Sequence, residues 1–262
     1  MEGFKMKKRQ LEVYLARTEA EIDSALSLRY EIFNQELNEG LYESSSNQKD
    51  RDAYDEHCEH LIVVDKDKDD KVVGTYRLLQ GKSAAGGIGF YSETEFNLTS
   101  LYSLSDNIME IGRSCVHRDY RDGSVISMLW QGLADCIIQY NIRYLMGCAS
   151  LHTTDGKKVS EIYAYLREKD FLAEECFHVE PRQGFILEDF DPDYRIQNLK
   201  ETAKRIPTII KGYMRVGAKI CGLPALDSSF GTVDVFVLFD AEKISARYNK
   251  KFLNKKIISE SI

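Results

Sequence analysis

Two apolar stretches each run straight into a helical pattern, and that pairing limits the folds open to this chain more than any other feature. IMEIGRSCV (108–116) reads as a strand and leads through HRDYRDG into SVISMLWQGLADCIIQY (124–140), whose apolar residues recur at helical spacing. RYLMGCAS (143–150) reads as a second strand and leads into the helical KKVSEIYAYLREKDF (157–171). Repeated strand–helix units fit a mixed α/β sheet with helices on both faces.

The flanking segments fill out that plan. LEVYLA (11–16) alternates like a strand, and Thr18 with Glu21 forms a capping-box signature ahead of a helix carrying Ile22, Leu26, Tyr30 and Phe33. A long polar loop, ELNEGLYESSSNQKDRDAYDEHC, has little periodicity and reads as functional or mobile. HLIVVD (60–65) and KVVGTYRLL (71–79) read as a hairpin, and GKSAAGGIG as a flexible connector. Beyond residue 190, DPDYRIQNLKETAKR and PTIIKGYMRVGAKI read as helices and GTVDVFVLFD (231–240) as a closing strand. The expected organisation is a basic extension (1–10), a single domain (11–248) and a basic tail (249–262).

Charge and composition exclude several classes. The 262 residues carry a net charge of −7, which argues against nucleic acid as a partner. No apolar run approaches the roughly 20 residues that span a bilayer, and the first residues lack the apolar core of a secretory signal. The expected location is therefore cytoplasmic. The lysine-rich, partly apolar ends suit contact with the anionic inner face of a membrane. The six scattered cysteines read as reduced thiols. His57, Cys58 and His60 lack the partners of a zinc site, so no metal is expected. His117 and Asp122 match a short H-x-x-x-x-D pattern too common to carry chemistry alone, and Cys148 reads as core.

The most informative charges sit in and around the 108–116 strand. A carboxylate inside an apolar strand is costly unless paired or functional, which singles out Glu110. By strict alternation Glu110, Gly112, Ser114 and Val116 share one face and Arg113 points to the other, unless a bulge intervenes. Arg29 in the first helix, Asp52 and Asp55 in the loop, and Arg77 in GTYRLL are further charges that could converge on this strand.

Four pieces in order, RYEIF (29–33), DAYD (52–55), HLIVVD with GTYRLL (60–79) and EIGRSCV (110–116), resemble the N-acyl-homoserine-lactone synthases, acyl-carrier-dependent members of the GNAT (acyl-CoA N-acyltransferase-like) fold. FYSETEF (90–96), GRSCVHRDYRDG (112–123), LWQGLADCI (129–137), PTIIKGYMRVGA (207–218) and GLPALDSSFGTVDVFVLFD (222–240) resemble a sister family, the ornithine-lipid N-acyltransferases. The lactone synthases' tryptophan after the first helix is absent, Trp130 being the only one, and the chain runs well past their length. Both features favour the second family.

That resemblance implies a GNAT sheet with a C-terminal elaboration, and transfer of a long-chain (3-hydroxy)acyl group from acyl carrier protein to the amine of an amino acid, L-ornithine first. No permanently bound cofactor is implied; the acyl donor rides on phosphopantetheine, with acyl-CoA as the alternative. The implied partners are the carrier protein and the amino acid. Glu110 is the implied base, Arg113 its neighbour in the site, and Tyr163 or, preferred, Tyr165 the acid for the leaving thiol. Arg77 and Arg113 suit the acceptor's carboxylate, and Asp52 and Asp55 its side-chain cation. Arg29 and Phe33 complete the substrate set. Backbone N–H groups at Cys115 and Val116 would face the oxyanion. The donor's phosphate would meet Arg118, Arg121, Gly123 and Ser124, a turn in which Ser124 and Ile126 stand where a CoA-binding pattern wants small residues. The rivals are a lactone synthase using S-adenosylmethionine and a non-catalytic carrier- or membrane-binding module.

Overall fold

A computed structural model describes residues 9–39 and 46–243. The basic extension, all but its last two residues, and the basic tail lie outside the described residues, as does part of the long polar loop. The chain's described residues form two compact units, one of residues 9–39, 46–78 and 113–135, the other of 79–112 and 136–243. The boundary falls within two strands and one helix.

The first unit contains β1 (Leu11–Leu15), α1 (Glu19–Tyr30), β2 (Glu59–Asp65), most of β3 (Lys71–Gln80) and the end of a strand completed at Val116. α1 starts where the sequence predicts: Thr18 accepts from the Glu21 N–H, and the Glu21 side chain accepts from the Thr18 N–H. At its far end the chain continues into a wider π turn, Glu31–Glu36. β1 pairs antiparallel with β2, and β2 with β3, with a register shift between Val63 and Val64. Ala25, Leu28 and Ile32 pack on Ile62, Val64, Val72 and Cys115, with Phe33 at the edge of that cluster. The opposite sheet face meets the helix at Gly132, where an added Cβ would strike Leu61 and Val13 at under 3.0 Å. Alternate residues of β2 thus face a helix on each side, which is why HLIVVD is apolar without a break.

The second unit holds the short α2 (Gly81–Ser83), β4 (Phe96–Asn97), the start of β5 (Ile108–Val116), the end of α3 (Ser124–Gln139), β6 (Tyr144–Leu151), α4 (Gly156–Glu168), β7 (Glu180–Pro181), α5 (Leu199–Arg205), α6 (Thr208–Val216), β8 (Lys219–Ile220), β9 (Ala225–Asp227) and β10 (Thr232–Asp240). Its main sheet runs β5-β6-β10-β8, with β9 also on β10, and β4 pairs with β7 separately. β10 pairs antiparallel with β6 along eight positions, whereas β5 pairs parallel with β6 only at Ile108, Met109 and Glu110. The two parallel strands part after Glu110, earlier than the Cys115–Val116 position expected from the sequence. The glycine-rich GKSAAGGIG is wound rather than loose: Gly81 sits where a Cβ would meet the Ser105 carbonyl at 2.4 Å. α5 is shorter than its polar pattern suggests, and residues 191–194 form a single turn, Tyr194 N–H donating to the Asp191 carbonyl.

Candidate active site

The first unit buries a closed ring of six charges. Arg29 projects from the apolar face of α1 and is fully buried. Its Nε and Nη2 donate to Asp50 Oδ1 at 2.8 and 2.5 Å, and its Nη1 donates to Asp55 Oδ1 at 2.6 Å. Asp55 also faces Arg77 Nη1 at 3.3 Å, and Arg77 Nη1 donates to Asp52 Oδ1 at 2.6 Å. Asp52 Oδ2 accepts from Arg113 Nη2 at 3.3 Å. Arg113 Nε closes the ring on Asp50 Oδ1, an ion pair at 3.2 Å that lies off the line of a hydrogen bond. Three arginines alternate with three aspartates, so the ring is neutral.

Local structure explains how four segments reach one place. Asp52 caps a 3₁₀ turn (Ala53–His57), accepting from the Tyr54 N–H, while Asp55 accepts from the Asp52 N–H. This reciprocal cap aims both carboxylates at the sheet. Arg77 stands opposite His60 in the β2–β3 ladder, on the face that α1 covers. Arg113 has φ +49°, a left-handed conformation uncommon outside glycine. The strict alternation expected along IMEIGRSCV therefore breaks at Arg113, as a bulge would make it. Burial disfavours charge on Asp55, but Arg29 and Arg77 outweigh it and hold its carboxyl down at about 2. Burial also holds the His60 imidazole below its ordinary range; its ring lies 3.9 Å from Asp55.

The ring has a deep side and a shallow one. Arg29, Asp50 and Asp55 side chains are 0–1% exposed, whereas Arg113 and Asp52 are 11% and 15% exposed. Arg29 and Asp55, expected from the sequence to bind substrate, lie on the deep side of the ring. Asp52 and Asp55 are each paired with two arginines, Asp52 on the shallow side of the ring. Asp50 escaped the sequence reading, although D-x-D-x-x-D spacing in KDRDAYD places Asp50 and Asp52 on one side of an extended segment.

In the second unit Glu110 is buried, and its carboxylate organises a turn. Oε2 accepts from the Tyr91 N–H at 2.6 Å, and Oε1 accepts from the Ser92 N–H at 2.7 Å and the Ser92 hydroxyl at 2.5 Å. Cys148 Sγ donates to that hydroxyl at 3.2 Å. FYSETEF is thus the segment that fixes the Glu110 carboxylate. Burial pushes the Cys148 thiol well up and the Cys115 thiol up to about 12, which fits core thiols and not nucleophiles. Tyr163 donates to the Gly222 carbonyl at 3.2 Å. Tyr165 falls on the outer side of α4 in line with Lys158, Glu161 and Glu168, the side turned from the buried stripe Val159, Ile162, Tyr163 and Leu166.

The turn after β5 differs from the phosphate cradle imagined for it. Arg121 is committed: its guanidinium grips Glu36 at 2.5 and 2.9 Å, and its Nε donates to the Val116 carbonyl. Arg118 is more than half exposed, with Glu31 3.9 Å away. Gly123 takes φ +92°, which explains the one glycine kept there. Asp122 accepts from both the N–H and hydroxyl of Ser124, opening α3. Arg118 and the first turn of α3 are what this segment offers an anion.

The acetyltransferase (GNAT) domain profile matches residues 28–131. Among solved structures, FeeM, an N-acyl amino acid synthase from uncultured soil microbes, aligns over 95% of this chain and 99% of its own at 8% identity, TM-score 0.53. The acyl-homoserine-lactone synthase LasI aligns over 94% and 96% at 11% identity, TM-score 0.51. The fold is GNAT and the class is N-acyltransferase. The chain is 35% identical over 245 residues to L-ornithine N(alpha)-acyltransferase of Agrobacterium fabrum, covering 91% of this chain and 83% of that protein. It is 33% identical over 251 residues to the Rhodobacter capsulatus protein of that name, covering 94% and 95%. It belongs to the L-ornithine N(alpha)-acyltransferase family.

Proposed function

We propose that this protein moves a long-chain 3-hydroxyacyl group from acyl carrier protein to the α-amine of L-ornithine, giving an N-acyl amino acid. The observation that carries this reading is the shallow edge of the charge ring. Arg113 and Asp52 form a cation–anion pair at its most exposed point. A free α-amino acid presents the complementary anion and cation. The acceptor's carboxylate takes Arg113, with Arg77 behind it, and Asp52 holds the amine end. Holding both ends supplies the orientation that direct attack on a thioester needs.

The α-amine must lose a proton before it attacks. In this reading Glu110 receives it through a water, its carboxylate fixed by Tyr91 and Ser92. The leaving thiolate takes a proton from solvent, since Tyr163 is engaged and Tyr165 is turned away. Backbone N–H groups of β5 beyond Glu110, where pairing with β6 has ended, are the oxyanion donors. Arg118 and the first turn of α3 meet the phosphodiester of the pantetheine arm. A donor with a single phosphate suits a turn with one glycine better than the full CoA nucleotide does. The product, an acyl amino acid, belongs in a membrane, which gives the basic chain ends a partner in anionic lipid.

The test is turnover by purified protein offered 3-hydroxyacyl carrier protein or the matching acyl-CoA with a panel of amino acids. An N-acyl-ornithine formed from the carrier donor supports the reading. A lactone from S-adenosylmethionine, or transfer only from CoA, overturns the acceptor or the donor respectively.

A further inference from the structure

The geometry points to Asp50 as the residue that positions Arg113 for the acceptor. This inference rests on the acceptor site proposed above. Asp50 is fully buried, and its backbone N–H donates to the Leu26 carbonyl of α1 at 3.1 Å. Its Oδ1 is shared between Arg29 on α1 and Arg113 on β5, while Oδ2 is sealed from solvent and takes no hydrogen bond. Among the described residues two guanidinium groups hold the Asp50 carboxylate, and it links α1 to β5.

Its partner needs such a link. Arg113 has a left-handed backbone and reaches the shallow side of the ring. There its terminal Nη2 meets Asp52 at 3.3 Å, and its inner Nε meets Asp50 at 3.2 Å. An acceptor carboxylate competes with Asp52 for the terminal nitrogens. When Asp52 yields, the ion pair at Nε keeps the guanidinium beside Asp50. Asp50 touches no substrate. It acts through Arg113, and through Arg29 it ties that arginine to the core.

The test is a double-mutant cycle on the full-length protein, read as separate KM values for ornithine and for the acyl donor. Asp50→Asn keeps the side-chain volume and removes the charge. It should raise the ornithine KM by roughly tenfold and leave the donor KM unchanged. In an Arg113→Ala background the same change should move the ornithine KM less than about twofold, because the group through which it acts is gone. Where turnover is too slow, ornithine binding by calorimetry supplies the same comparison. Should Asp50→Asn fail to fold, Asp50→Glu keeps the charge and displaces it by one methylene. A raised ornithine KM that vanishes in the Arg113→Ala background again supports the role. An unchanged ornithine KM, equal losses for both substrates, or additive effects with Arg113→Ala would overturn it. Arg113→Ala with no effect of its own would instead remove the acceptor site beneath it.

Discussion

Each charge in the ring is balanced by two neighbours, so removing one strands two. Buried pairs contribute little net stability when intact but cost several kcal/mol when broken. Arg29→Met should therefore destabilise the protein by about 3–5 kcal/mol, measured by urea unfolding, because Asp50 and Asp55 would be left buried without it. Arg113 lies at the shallow edge, where water screens part of the loss. Arg113→Ala should lower the unfolding midpoint less than Arg29→Met does, yet raise the ornithine KM by about tenfold or more, which urea unfolding and steady-state kinetics read together. Glu110→Gln keeps the shape of the residue and should lower kcat by about 10²–10⁴ with little change in either KM. A fall in stability equal to the fall in activity would make Glu110 a turn anchor only.

At the scale of elements, the decisive feature is where β5 and β6 part. Gly147 on β6 lies so close to β5 that an added Cβ would meet the Ile111 carbonyl at 2.3 Å. Gly147→Ala should push the strands apart one residue beyond their last pair, costing about 1–3 kcal/mol and most of the activity. Comparing its thermal midpoint and kcat with those of Gly86→Ala, whose Cβ would meet nothing, checks this. Much of this architecture was legible. Thr18 and Glu21 announced α1, and the apolar runs at 60–65 and 108–116 announced strands. The convergence of Arg29, Asp52, Asp55, Arg77 and Arg113 was expected from separate segments. What escaped needed a third dimension. A left-handed Arg113 breaks strand alternation without a glycine to mark it. Asp50 lies in a polar loop where no period points inward. Tyr165 is separated from Tyr163 by a helical rotation that spacing shows but a strand–helix diagram does not. Arg121 looked available because Glu36 is 85 residues away in the chain.

The whole molecule carries these local features into its pH behaviour. The Asp55 carboxyl, at about 2 in the folded state, binds fewer protons than the unfolded chain between pH 2 and its ordinary 3.8. Its stabilisation is fully present above that range and is lost as pH falls through it, about 2 kcal/mol in all. His60 works in the same direction at higher pH. Its imidazole is held low by burial, so the unfolded chain takes up protons first as pH falls below about 6.5. Stability should decline on acidification in two stages, and His60→Phe should remove the upper one in a pH series of urea midpoints. No helix among the described residues is long and apolar enough to cross a membrane. The central claim is what the site joins. The most direct measurement is mass-spectrometric product analysis with 3-hydroxyacyl carrier protein and L-ornithine, run in parallel for wild type and Arg113→Ala. The expected result is Nα-acyl-ornithine from the wild type, and from the variant only at ornithine concentrations about tenfold higher. Product formed equally well by both, or no acyl transfer to any amino acid by the folded wild type, would contradict it.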